Sequence, residues 1–560
     1  MSPRLLALAC VCLLPLTAAA ADVNLLTAAT IRTSDPQQPV ATALAWDEQG
    51  RILAVGDAAQ LAGRYPQARR VDAGASTVVP GLIDAHGHVM YLGYALMRAD
   101  LGHARSKDEV LARLREYEKT LPANAWVLGG GWDQNDWPGG QFPTAADLDA
   151  AFPDRPVWLE RIDGHAGWAN TAALRLAAQA APQPLSGDWQ PEGGRIIREG
   201  DAPTGVLIDG AMALVQAVLP EPDDAYREQA LQLALEAMAR DGLTGVHDMG
   251  TSRADLALMR RFADEGRLSA RIDAYADGDG AALADLCRDG VYSHPGGRLK
   301  MQGVKLFMDG ALGSRGAALL EDYSDDHGNR GLLVTEPGRY GELVAQAKSC
   351  GLQVATHAIG DRGNRVVLDT YQRVLGTDAG SDHRWRVEHA QIVAPADIPR
   401  FAPLGIIASM QPTHATSDMP WAEQRLGHDR LAGAYAWRRF LDSGAHLALG
   451  SDFPVESPDP RLGLYAAVTR QDREGQPPGG WLPDQRLTAA EALRGFTGDA
   501  AFAGKDESQV GRLAPGLHAD FVVLDRDPLA IEPSQLDDLK VLSTWVDGQA
   551  VYDGTAVQER

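Results

Sequence analysis

Two histidines one residue apart close the apolar run Val78-Val79-Pro80-Gly81-Leu82-Ile83-Asp84-Ala85-His86-Gly87-His88-Val89. Side chains alternate along a strand, so positions i and i+2 share a face and two imidazoles placed there can chelate one metal ion. A lone His-x-His is as readily a coincidence of surface or core, so the reading depends on partners elsewhere in the chain. Later apolar runs supply them: Lys305 lies within one, and His357, His389 and Asp452 each end one. Four imidazoles and a carboxylate form a borderline-hard ligand set that suits zinc ahead of iron, manganese or nickel. Metal binding brings the pKa of water from 15.7 to about 7, which makes a hydroxide available near neutral pH. Asp452 could then take the proton of the attacking water and return it to a leaving amine, as ligand and general acid/base together. The plain alternative for Asp452 is a helix N-cap.

These residues converge only if the elements that carry them form one closed layer. After the opening strand, strand-like runs fall at 242–248, 270–276, 301–309, 352–357, 385–389, 405–410 and 445–452, and segments between them, such as 223–240 and 336–350, suit helices. That alternation predicts an α/β fold, a (β/α)8 TIM barrel, with its chemistry at the C-terminal ends of the strands. The first crossover is too long for one helix. Residues from about 94 to 223 form an insertion expected to act as a lid or pocket wall. Both ends of the chain are rich in short β-like runs, too small to hold a core separately, and are expected to combine into one small β-sandwich domain. The resulting domains are a signal peptide at 1–21, the N-terminal part of the sandwich at 22–77, the barrel at 78–490, and a C-terminal helix with the rest of the sandwich at 491–560.

The leader expectation rests on Arg4, the apolar run from Leu5 to about Thr17, and Ala18-Ala19-Ala20-Ala21 before Asp22. A 13-residue apolar core ending in small residues matches a secretory signal cleaved near Ala20 or Ala21 and is too short to span a membrane. An exported, periplasmic protein follows, without membrane insertion. Cys10 and Cys12 would leave with the leader, so Cys287 and Cys350 are either one disulfide or two buried thiols. Asp and Glu outnumber Lys and Arg by 75 to 52, a net charge of −23, which argues against a nucleic-acid partner. A homodimer is the prior for a soluble enzyme.

Six ordered motifs resemble the amidohydrolase superfamily of metal-dependent hydrolases, and within it the amidohydrolase 3 branch that contains N-substituted formamide deformylase. They are the Pro80 to His88 opening, Gly303 to Arg315, Thr356 to Asp361, Val387 to Gln391, Gly450 to Val455, and the Gly511 to Asp520 closing segment. The resemblance implies two divalent metal ions, most readily zinc. His86 and His88 would hold one with Asp452, His357 and His389 the second, and Lys305 would bridge both after CO2-derived carboxylation. An unmodified ammonium has three donors and no acceptor and cannot ligate. The alternative is a structural Lys305 paired with Asp309 or another carboxylate, and a single metal. Lys300, before the strand, is the poorer candidate. The family pattern places Trp132, Gln134 and Gln411 as substrate contacts; Arg315, after the Gly-rich turn that follows the lysine strand, could bind a substrate carboxylate or steady the loop; His165, beside Asp163, is either a substrate contact or a structural hydrogen bond. His247 could face the mouth but is expected behind the ligands, and His414 could be a surface or loop residue or belong to the site.

The function expected is hydrolysis of a non-peptide carbon–nitrogen bond in a small amide, such as an N-formyl or N-acyl amine, by metal-activated hydroxide. The alternatives are an ester, lactone or cyclic amide at the same site and, outside enzymes, a metal-free binding or scaffold protein.

Overall fold

The computed structural model describes residues 23–278 and 280–554; the expected signal peptide at 1–21 lies outside them. Eight parallel strands run in the order Leu82–Gly87, Leu243–Thr251, Arg271–Asp277, Leu299–Phe307, Gln353–Ala358, Arg386–His389, Ile407–Met410 and Leu447–Leu449. The seven joins between neighbours are parallel ladders, such as Lys305 opposite Ala355 and His357 opposite Glu388, with register shifts in the three that involve the first four strands. The eighth join closes the ring at the C-terminal ends of the strands. There Gly87 bridges Phe453, Asp452 N donates to His86 O at 2.7 Å, and His88 N donates to Phe453 O at 2.9 Å. A Cβ on Gly87 would stand 2.5 Å from the Phe453 ring, so the residue between the two histidines has to be glycine.

The strands are buried on both faces, as a parallel barrel demands, and helices cover the outside with their apolar stripes. Helix Asp224–Arg240 is typical: the Asp223 carboxylate caps its Tyr226 N–H, and Ala230, Leu231, Ala234, Leu235 and Met238 turn inward at helical spacing. Helices Ala489–Gly495 and Gly498–Ala503 close the other end, where Ala500, Ala501 and Ala503 pack on Ile83, Ala85, Ile407 and Ala448.

The long insertion is a folded unit with its own six-stranded sheet, ordered Gly194–Glu199, Ala202–Asp209, Ala166–Ala169, Val157–Arg161, Val127–Trp132 and Ala99–Asp100. Apolar clusters form on it, one around Trp132, Trp137 and Trp168 and another around Trp158, Ala173 and Leu207.

The two chain ends share one eight-stranded sheet, joined where Thr77–Pro80 pairs with Phe521–Leu524. Strand Val40–Trp46 lies three positions from Phe521–Leu524 in that sheet, roughly 14 Å at normal strand spacing if the sheet were flat. Yet the Trp46 and Phe521 rings meet at 5.6 Å, and Trp46 meets Trp545 at 6.0 Å. The sheet therefore coils until its halves face each other around these aromatics. Thr77–Pro80 belongs to this sheet and runs directly into the first barrel strand, so the sheet domain is tied to the strand bearing His86.

Cys287 and Cys350 are joined as a disulfide, which resolves the alternative left by the sequence. Among the described residues no helix is long and apolar enough to cross a membrane.

Candidate metal centre

The barrel mouth gathers side chains from the first, fourth, fifth and sixth strands and from the turn after the eighth. His86 is fully buried, with Nδ1 2.6 Å from Glu388 Oε2. His88 places Nδ1 2.7 Å from Met249 O, and His389 places Nδ1 2.9 Å from Gln411 Oε1. Each acceptor fixes a proton on Nδ1 and leaves Nε2 as the unprotonated nitrogen of its ring. Asp452 Oδ1 lies 3.0 Å from His88 Nε2 and 3.4 Å from His86 Nε2. Ligand atoms of His86, His389 and Asp452 all fall within 4.8 Å of one another. His357 completes the group: its ring centroid is 4.6 Å from that of His389, and Nε2 faces Gly310 O at 3.4 Å.

The electrostatics match a site for a cation. Burial and the Lys305 ammonium keep His86 well below its ordinary pKa, and burial does the same for His357 and His389. Burial opposes the charged form of Asp452, yet the neighbouring imidazoles outweigh it and hold the carboxyl well below the usual range. Lys305 is 1% exposed, with Nζ 3.0 Å from His86 Nε2. Burial pulls its pKa down to about 8. Among the described residues no carboxylate forms an ion pair with it. A buried amine without a paired carboxylate is costly, and carboxylation would turn it into an anion. The donor set thus fits a divalent metal: neutral imidazoles, an ionised carboxylate and an amine with a depressed pKa.

Two site residues carry backbone strain. His389 and Asp452 have φ of 71° and 64°, a left-handed conformation that costs a non-glycine residue of order 1–3 kcal/mol and collects at functional sites.

The sequence matches the amidohydrolase family over residues 69–552. This chain belongs to the amidohydrolase family. It is 35% identical over 551 residues to Protein LONG AFTER FAR-RED 3 of Arabidopsis thaliana, covering 94% of this chain and 91% of that one. It is 30% identical over 545 residues to N-substituted formamide deformylase of Arthrobacter pascens, covering 94% and 98%. Among solved structures, an uncharacterized metal-dependent hydrolase from Pyrococcus horikoshii superposes with a TM-score of 0.74 at 30% identity, over 91% of this chain and 99% of that one. The amidohydrolase is accordingly a metal-dependent hydrolase, which sets aside the metal-free scaffold.

The remaining expected contacts divide. His165 reaches the mouth from the insertion, its ring 4.9 Å from that of His357. The imidazole partner is Asp209, at 2.6 Å from Nδ1, and not Asp163, which accepts from the His165 backbone N–H and pairs with Arg161. Burial lowers the basicity of His165, but the Asp209 hydrogen bond and charge more than reverse this and set its pKa at about 8. Gln411 is buried and steadies His389, so it acts on a ring of the site through its Oε1. Trp132 is 0% exposed inside the insertion core, with its indole N–H on Leu159 O. Gln134 and Arg315 meet elsewhere, in a cleft of about 670 Å3 between the insertion and the loop around Asp325, whose walls include none of the clustered histidines. There Arg315 pairs with Asp325 at 2.9 Å, and Gln134 accepts from Arg161. The Lys305–Asp309 pairing does not form either, because Asp309 accepts backbone N–H groups of Ala318, Ile359 and Gly360.

Several residues of the amidohydrolase site escaped sequence reasoning. Glu388 orients His86 and is itself held by the buried Arg386, through Nε to Oε1 at 2.7 Å and Nη2 to Oε2 at 3.0 Å. His247, expected behind the ligands, accepts from Arg386 at 2.7 Å and so lies one layer further back. His414 Nε2 is 3.7 Å from Asp452 Oδ2, which puts it at the mouth. The Val387-Glu388-His389 motif was visible; that Arg386 and Glu388 point together into the barrel needed the strand register.

Proposed function

We propose that this amidohydrolase uses two divalent metal ions, zinc first among them, to hydrolyse a non-peptide carbon–nitrogen bond in a small amide, of the N-formyl or N-acyl amine class. The observation that supports it best is the pair His86 and His88, whose proton-bearing Nδ1 atoms face outward to acceptors while their Nε2 atoms turn to Asp452. His86, His88 and Asp452 would hold one ion, His357 and His389 the other, and Lys305 would bridge them once its unprotonated amine has added CO2 and lost a proton. The depressed pKa of Lys305 supplies that unprotonated amine near neutral pH. Bound there, the ions acidify water and polarise a carbonyl group.

The chain's own groups carry the proton. Asp452 sits among imidazoles that keep it ionised, so it can accept a proton from the attacking water and hand it to the departing nitrogen. An amine leaves poorly without that proton, whereas the alkoxide of an ester or lactone depends on it less. His165, held by Asp209 against His357, stands where it can hydrogen-bond the substrate. The amide class draws on the N-substituted formamide deformylase relative.

The mature protein is further proposed to be exported to the periplasm, on the leader-like residues 1–21 and on the Cys287–Cys350 disulfide, a bond at home in oxidising compartments.

The test is metal content per chain, with zinc and bicarbonate supplied, alongside hydrolysis of a panel of N-formyl amines, N-acyl amines, esters and lactones. Two equivalents of metal, amide turnover, and a loss of roughly 10²–10⁴-fold in kcat for Asp452→Asn are expected. One equivalent that Lys305→Ala leaves unchanged would remove the bridged pair. Turnover confined to esters or lactones would replace the amide reading.

A further inference from the structure

Behind the mouth, the loop after helix Pro460–Thr469 encloses a positive charge with no counter-charge. Arg470 caps that helix with a left-handed backbone, φ 59°, and is 0% exposed. Its Nε donates to Trp481 O at 2.8 Å and Nη1 to Tyr435 O at 3.0 Å. The guanidinium lies 4.2 Å from the Trp437 ring centroid and 5.4 Å from that of Trp481. These partners are carbonyls and ring faces. Arg486 adds a second cation: its Nη2 and the Cβ of Arg470 each lie 3.1 Å from the point where a side chain on Gly480 would begin.

Among the described residues neither arginine forms an ion pair. Three carboxylates of this region are committed elsewhere, Glu491 to Arg438 at 2.6 Å, Asp418 to the Tyr435 hydroxyl, and Asp472 to the Gln476 backbone N–H at 2.7 Å, and Asp484 is exposed. Three buried donors of this neighbourhood also lack an acceptor: Arg470 Nη2, Arg486 Nε and Trp437 Nε1. Each unsatisfied buried donor costs about 1–3 kcal/mol, and a buried charge without a partner costs more. Water could accept from such donors but would leave both charges uncompensated. An anion answers both deficits at once. Burial first, and then the positive charge of Arg486, push Arg470 down to about 9; a guanidinium keeps its proton in proteins, so the charge stays in this enclosure.

We propose that Arg470, Arg486 and the indole N–H of Trp437 form a binding site for a small inorganic anion of the chloride class. A single-atom anion suits the complete burial of Arg470, and Arg486, which is half-buried, forms the side open to solvent. The anion braces the wall behind His414. Arg470 holds Tyr435 O, Tyr435 N donates to Gln391 O at 2.6 Å, and Gln391 Nε2 is 3.0 Å from His414 Nδ1.

The experiment replaces sodium gluconate by sodium chloride at constant ionic strength with the metal-loaded protein, and follows Tm and tryptophan fluorescence. A saturating rise in Tm of at least about 2 °C is expected, reproduced by bromide. Crystals grown in bromide should show an anomalous peak beside Arg470 Nη2 and Arg486 Nε. The rise should vanish in Arg470→Met and shrink in Arg486→Gln; the latter, at a half-buried position, carries the test if Arg470→Met does not fold. No chloride-specific rise, an equal rise in Arg486→Gln, or a bromide peak only elsewhere would each overturn the proposal.

Discussion

His86 Nδ1 and Glu388 Oε2 stand 2.6 Å apart, and neither side chain is exposed. Glu388 in turn accepts two N–H groups of the Arg386 guanidinium, so a charged pair in the barrel interior sets which nitrogen of His86 carries its proton. Glu388→Gln keeps the shape and removes the charge. Metal affinity, measured by competition with a chelator, should weaken roughly 10–100-fold. The buried Arg386 left without its counter-ion should lower stability by about 3–5 kcal/mol. Retention of wild-type affinity would show that His86 needs no such support.

Trp132 and Gln411 should separate cleanly. Trp132→Phe removes core volume and an indole hydrogen bond, so Tm should fall by the equivalent of about 1–3 kcal/mol while KM and kcat hold. Gln411→Ala frees the His389 ring and should weaken metal retention at nearly unchanged Tm. A raised KM in Trp132→Phe would return that residue to the substrate.

Glu491 provides a pH-dependent element far from the metal centre. Its hydrogen bond with Arg438, and those with Thr488 at the start of helix Ala489–Gly495, hold its pKa at about 2, below its ordinary 4.5. A depressed folded pKa means the stabilisation is complete above about 4.5 and is lost as pH falls toward 2. Denaturation of wild type and Glu491→Gln should therefore differ by about 1 kcal/mol at pH 7, and the gap should narrow below pH 4.5. A gap independent of pH would assign the effect to packing.

The Cys287–Cys350 bond closes a loop with a sequence separation of 63 residues. Chain-entropy reasoning puts its contribution near 4 kcal/mol as an upper figure. Reductant should lower Tm in wild type and leave the Cys287→Ser/Cys350→Ser double variant unmoved. Two free thiols titrated in unreduced denatured protein would contradict the pairing.

The sequence by itself determined the eight strands and their order, because buried parallel strands read as apolar runs and their chemistry sits at their ends. His86, His88, Lys305, His357, His389 and Asp452 stood out as polar residues within or closing such runs. What holds them in place could not be seen there. Arg386 and Glu388 look like ordinary strand residues until register turns both inward, and Asp209 meets His165 across 44 residues of an inserted sheet. Trp132 and Arg315 followed motif position, which says nothing of direction; packing placed one in a core and the other on a separate cleft. Local pattern decides which residues lie on a strand and near its end. Which imidazole nitrogen is free, which carboxylate is paired and which arginine is left without one are decided by contacts between segments distant in sequence, and only the closed barrel brings these together.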